Sequence, residues 1–148
     1  MASFLDSVRL QPAHGYVAGV AIASVFVNTW AAFGVGAARK KYNVPYPQMY
    51  AETSHAHSTQ FNCVQRAHQN ILENYPPFLM LLAVGSTYRP ALAAAFGALR
   101  LFGFISYYKG YSSGDPKKRL NPGTAVGYMG LFGLLGLGFE VVARLITS

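Results

Sequence analysis

Acidic residues are scarce in this chain: five Asp and Glu stand against twelve Lys and Arg, leaving a formal charge of +7 over 148 residues. Cysteine is scarcer still. The single one, Cys63, excludes an intrachain disulfide framework and any multi-cysteine metal site, and reads as a small buried side chain. Formal charge is absent between Arg9 and Arg39 and again between Arg119 and Glu140. A helix crossing a bilayer needs roughly 20 mostly apolar residues, and each of these intervals supplies them. A soluble four-helix bundle is the alternative, but the first and last segments have almost no polar face to offer water. No basic stripe with interleaved aromatics lies outside the apolar segments, which removes nucleic acid as the reason for the positive charge. No internal repeat or second domain is visible, so residues 1–148 read as one integral membrane domain. The opening residues contain an acid and lack a cleavable hydrophobic core, so the first apolar segment is expected to remain as an anchor.

What is present organises into four transmembrane helices, an all-α bundle with spans near residues 14–38, 60–88, 90–111 and 121–145. The second and third are the weaker candidates, because Arg66, His68 and Glu73 interrupt one and Arg100 the other. Arg39, Lys40 and Lys41 follow the first helix; Lys109, Lys117, Lys118 and Arg119 follow the third. In a four-span chain those two loops share one side, and basic short loops mark the cytoplasmic face. Both termini are then expected on the opposite side. Between the first two helices, His55 and His57 form a His-x-His pair without a recognisable third ligand, so the sequence indicates a solvated loop and no metal site.

The second helix carries the chemistry. Asn62, Arg66, Asn70 and Glu73 recur at helical spacing and line one face. An Arg and a Glu near hydrocarbon depth are costly unless they face a protein interior or a wet cavity, so they point to a functional site. Pro76 and Pro77 remove two backbone donors from this helix, and a kink or local unwinding is expected there. On the third helix Arg100, Phe104, Tyr107 and Tyr111 fall on one face, while Tyr108 suits an interfacial aromatic belt. Gly123, Gly127, Gly130, Gly133 and Gly136 on the fourth helix are spaced to let another helix approach closely. Arg39, Arg66, Lys118 or Arg119, Asn70, Glu73, Tyr107 and Tyr111 gather on one side of the membrane as an anion-binding set with one acid. A small zwitterion with two carboxylates and an ammonium satisfies it. Glutathione has those groups and a thiol that a nearby cation activates, although spacing alone allows any small zwitterionic anion.

The run FNCVQRAHQNILENYPPF, the preceding ARKKYNVPYP and the later YYKGYSSGDPKKRLNPG resemble the membrane-associated proteins in eicosanoid and glutathione metabolism, the MAPEG family. That resemblance implies a homotrimer of four-helix protomers in which glutathione, as co-substrate, binds between neighbours near the cytosolic face. It implies glutathione contacts for Arg39 of the ARK motif, for Arg66, Asn70 and Glu73 of the RAxxNxxE motif, and for Tyr107 and Tyr111 of the YxxGY motif. Arg119 resembles the arginine that stabilises the thiolate. His68 stands where the leukotriene-forming branch has a glutamine contact, and Asn74 where that branch has a tyrosine. The loop before Arg119 is one residue longer, so Lys118 competes with it for the catalytic place. The implied activity is glutathione transfer to lipophilic electrophiles, with lipid hydroperoxide reduction or leukotriene C4 synthase-like activity beside it. The implied setting is among membrane lipids, in the endoplasmic reticulum or the outer mitochondrial membrane. A non-catalytic membrane subunit or lipid-binding scaffold is the competing reading.

Overall fold

The computed structural model describes residues 10–147; residues 1–9, which carry part of the expectation about the opening segment, lie outside them. Helix α1 spans His14–Tyr42, α2 Ser58–Ser86, α3 Pro90–Tyr111 and α4 Pro122–Thr147, with a 3₁₀ turn Pro116–Arg119 leading into α4. There is no strand among the described residues. The four helices are those the hydropathy pattern predicts, with ends displaced by a few residues. The largest displacement is at the end of α1, which continues through Arg39, Lys40 and Lys41 and stops where Asn43 turns left-handed at φ 54. The cations therefore sit in the last turn itself, at the negative end of the helix dipole. At 29 residues α1 is about 44 Å long, more than hydrocarbon thickness, so its basic end projects beyond the apolar layer.

Helices α1, α3 and α4 are each long and apolar enough to cross a membrane. Helix α2 misses that standard only because of its polar half, and its buried residues run from Phe61 to Ser86 against the other three helices. It is the fourth helix of the bundle, sheltered by the other three. Helix α2 also continues unbroken through Pro76 and Pro77, so the local unwinding expected there does not occur. Phe26, Phe33, Phe132 and Phe139 point outward and exposed, a surface suited to lipid and not to water.

Helices α3 and α4 make the closest pair. A Cβ on Gly127 would run into the backbone of Gly103, one on Gly130 into Arg100, one on Gly133 into the Phe96 ring and one on Gly123 into Ser106. Four of the five glycines picked out by spacing thus form the seam, while Gly136 meets nothing. Tyr108 departs from its expected place in an aromatic belt. It is 5% exposed, donates to the Ala31 carbonyl (3.2 Å) and meets Trp30 edge-on at 4.8 Å, because its helix face points at α1.

At the far end, Arg89 in the α2–α3 turn binds both carboxylate oxygens of Glu140 (2.9 and 2.7 Å), and Arg144 joins the same carboxylate at 2.8 Å. The basic first and third loops lie together at the opposite end, where Gly114 packs on Gln60. A membrane-impermeant amine reagent applied from the cytosol should therefore modify Lys41 and Lys117. In a Tyr88→Cys variant the introduced thiol should react with an impermeant thiol reagent only from the other side. Labelling of that thiol from the cytosol would reverse the orientation without changing the helix count.

Candidate functional site

The basic end of the bundle holds an open groove of about 500 Å³ between the first loop, α2 and α3, lined among others by Tyr50, Thr53, Asn62, Arg66, Tyr111 and Pro116. Its walls are built by local chemistry. Asn62 uses its carboxamide twice on one residue of the loop, accepting from Ala51 N (2.8 Å) and donating to Ala51 O (3.0 Å), so it shapes the groove and leaves ligand contact to others. The Tyr50 hydroxyl donates to Gln69 Oε1, tying the same loop to α2.

Arg66 and Glu73 lie two turns apart on α2 and form an ion pair of 2.6 Å, both side chains about half exposed. Its exposure keeps the pair weak, on the order of 1 kcal/mol or less. A zwitterion bringing both a carboxylate and an ammonium can exchange with it charge for charge. Across the groove Tyr107 and Tyr111 meet edge-to-face at 5.7 Å, and the Arg119 guanidinium lies 5.7 Å from the centre of the Tyr111 ring.

Arg119 is held in place at both ends. Its guanidinium donates to Pro116 O (2.5 Å), and its carbonyl accepts from Thr124 Oγ1 (2.8 Å). Asp115 opens the 3₁₀ turn by accepting from Lys117 N (2.9 Å). Asn121 then caps α4, its Oδ1 accepting from Thr124 N (3.0 Å) and from Ser106 Oγ (2.6 Å). Lys118, the competitor, is exposed and offers its backbone carbonyl to Asn121. The motifs do not single out Asn121 and Thr124, although Asn before Pro at a helix start is a readable cap signal.

The expected ligand set divides. Arg66 and Tyr111 line the groove; Glu73 pairs with Arg66, Tyr107 and Arg119 lie against Tyr111, and Asn70 follows Arg66 by one turn of α2. Arg39 does not join them: it donates to Gln48 O (2.6 Å), lies 4.4 Å from the Tyr46 ring and 5.1 Å from the Phe61 ring, and lines a separate groove of about 690 Å³ with Phe33 and Tyr46. Its Nε is buried without an acceptor. His68 follows Phe61 by two turns and lies about 200° around α2 from Arg66, so it does not share the Arg66 face. His57 stacks on Tyr42 at 5.6 Å with His55 beside it, and no three His, Cys, Asp or Glu side chains converge among the described residues.

Arg100 shares a helix face with the tyrosines, yet the motifs give it no role. It is 6% exposed and donates to Asn74 Oδ1 (2.9 Å), while Asn74 Nδ2 donates to the Asn70 carbonyl (2.9 Å). A charge at the centre of a membrane helix costs about 2.5–3.5 kcal/mol even by lenient scales, so this residue calls for a reason.

Residues 17–139 match the family model of the MAPEG family. Microsomal glutathione S-transferase 2 of Homo sapiens is 32% identical over 121 residues, which is 81% of this chain and 78% of the relative. The protein of that name in Bos taurus is 27% identical over 121 residues, covering 81% and 79%. The one in Mus musculus is 29% identical over 103 residues, covering 69% and 66%. The motifs quoted above resemble most those of microsomal glutathione S-transferase 3; the relatives found bear the neighbouring name, within the same family.

Proposed function

Since the chain belongs to the MAPEG family, we propose that it is a glutathione transferase and peroxidase of the endoplasmic reticulum membrane, acting on lipophilic electrophiles and lipid hydroperoxides. The observation that carries this reading is the Arg119 guanidinium near Tyr111, a residue that lines one groove with Arg66, itself paired with Glu73. Arg66 takes a carboxylate of glutathione and Glu73 its ammonium; Asn70, Tyr107 and Tyr111 orient the peptide. Arg119 stands beside the sulfur and favours its ionised form. The thiolate then forms a C–S bond with an electrophilic carbon, whose leaving group or opened oxygen takes up a proton. With a hydroperoxide, two glutathione thiols supply two electrons and two protons. The O–O bond breaks, and alcohol, water and glutathione disulfide result.

Arg39, on α1, lines the separate groove, and His68 lies about 200° around α2 from Arg66. A homotrimer in which the Arg39 face of one protomer meets the Arg66 face of the next makes one site of the two sets. Titrating glutathione into the purified protein and following thiolate absorbance in the ultraviolet tests the reading. A new thiolate band at neutral pH is expected, and its absence would remove the catalytic role.

Glu73→Gln removes the one acid on this face of α2. Charge-assisted hydrogen bonds contribute roughly 1.5–3 kcal/mol, so calorimetry should show glutathione affinity reduced about tenfold to a hundredfold. Unchanged affinity would take Glu73 out of the site.

A further inference from the structure

Arg100 is the one buried charged side chain among the described residues, and it sits at the midpoint of α3. No opposite charge offsets it: the three ion pairs among the described residues lie elsewhere, and its Nε has no acceptor. An apolar side chain of similar length would pack between the same helices without that cost, so packing does not account for the guanidinium. Its one hydrogen bond does. Arg100 Nη2 donates to Asn74 Oδ1 (2.9 Å), while the rings of Phe104 (4.5 Å) and Tyr128 (5.5 Å) flank the cation and hold it in place.

Asn74 stands where α2 is weakest. Pro76 and Pro77 have no N–H, so the carbonyls of Leu72 and Glu73, one turn earlier, lack their helical donors. The turn that carries Glu73 is short of two backbone bonds, yet α2 runs through it without a break. Side chains supply the restraint. Asn74 Nδ2 donates to the Asn70 carbonyl (2.9 Å), Asn74 Oδ1 accepts from Arg100 on α3, and the neighbouring Tyr75 hydroxyl meets Ser24 Oγ on α1 at 3.0 Å. An unengaged Asn inside a helix competes with the backbone for hydrogen bonds; this one is held at both ends of its carboxamide, with Asn70 before it and Glu73 beside it.

We propose that Arg100 is a positioning residue for glutathione: through Asn74 it fixes the turn of α2 that presents Asn70 and Glu73 to the ligand. The assignment rests on the glutathione-transferase reading above and adds to it a residue that touches neither glutathione nor the reacting sulfur. Glu73 is about half exposed and its carboxylate bonds only Arg66 of the same helix, so the direction in which it points follows the backbone of this turn. Charge-assisted hydrogen bonds depend on close geometry, and a displacement on the order of 1 Å at such a group forfeits much of what it contributes. A donor that is itself charged and clamped between two rings holds the Asn74 carboxamide more firmly than a neutral, mobile one.

The test measures the glutathione Kd of the purified full-length protein by calorimetry, with the thiolate pKa and the KM for a neutral aryl halide read beside it. Arg100→Met should weaken glutathione about tenfold and leave the thiolate pKa, set by Arg119, and the aryl halide KM near their wild-type values. A general loosening of the bundle would move all three together. Asn74→Leu should match Arg100→Met, and the double variant should bind no more weakly than either, since both residues act on one turn. In a Glu73→Gln background Arg100→Met should add little. Unchanged glutathione affinity in Arg100→Met, losses that add in the double variant, or an equal rise in the aryl halide KM overturns the assignment. Should a single variant fail to fold because it orphans a buried partner, the double variant, which replaces both by apolar groups, decides by the same affinity. Absence of glutathione binding to the wild type would instead defeat the transferase reading itself.

Discussion

Arg119→Ala is expected to abolish the glutathione thiolate band at neutral pH and to lower turnover about thirtyfold. A cation beside the sulfur favours the charged form, so it lowers the thiol pKa; removing it lets that pKa return toward the ordinary value of about 8.5. Only about 3% of such a thiol is ionised at pH 7. The variant's rate should accordingly rise as pH passes upward through 8.5, whereas the wild type, already ionised, should gain little over that window. Glutathione affinity should fall less than in Arg66→Ala, because Arg66 meets a carboxylate and Arg119 the thiol. Lys118→Ala is the control suited to the longer loop. The structure presents Arg119 to Tyr111 and leaves Lys118 exposed, so Lys118→Ala should keep the band. Loss of the band in Lys118→Ala with retention in Arg119→Ala would transfer the role to the lysine.

The second large effect concerns the bundle. Gly127→Leu places a side chain where the α3 backbone at Gly103 already stands, so the two helices cannot close. Overpacking a core commonly costs about 1–3 kcal/mol, and a clash against backbone, which cannot rotate aside, belongs at or above the top of that range. Thermal unfolding in detergent should show a fall of many degrees or no folded protein. Gly136→Leu is the matched control, since a Cβ there meets nothing and the new side chain points toward lipid. Equal loss in both variants would mean that helix propensity or insertion, and not the α3–α4 seam, sets the effect.

Much of the site was legible because helical periodicity is a local property. Arg66, Asn70 and Glu73 share a face by spacing alone, and the Arg66–Glu73 ion pair across two turns is what that spacing allows. The same logic put Tyr107, Tyr111 and Arg100 on one line of α3. It could not show that Arg100 is buried against Asn74, or that Asn62 is engaged by Ala51, because those partners come from another helix and from a loop. Tyr108 illustrates the limit: its position along the helix suits an interfacial belt, and only the packing of α1 against that side makes it a core residue. Pro76 and Pro77 illustrate it again, since whether a helix tolerates two missing donors depends on the neighbours that hold its flanks.

Four helices, their order and the end at which the cations collect were determined by the sequence itself. Each follows from the length of an apolar run or the position of charge relative to it, quantities fixed residue by residue. The division of the ligand set between two grooves was decided by tertiary structure. Arg39 and Arg66 have the same chemistry and lie at the same end of the bundle, and which groove each enters depends on how α1 docks against α2. The buried state of Arg100 was decided in the same way. A guanidinium in the middle of α3 becomes an uncompensated charge only when the glycine seam brings α4 close enough to enclose it.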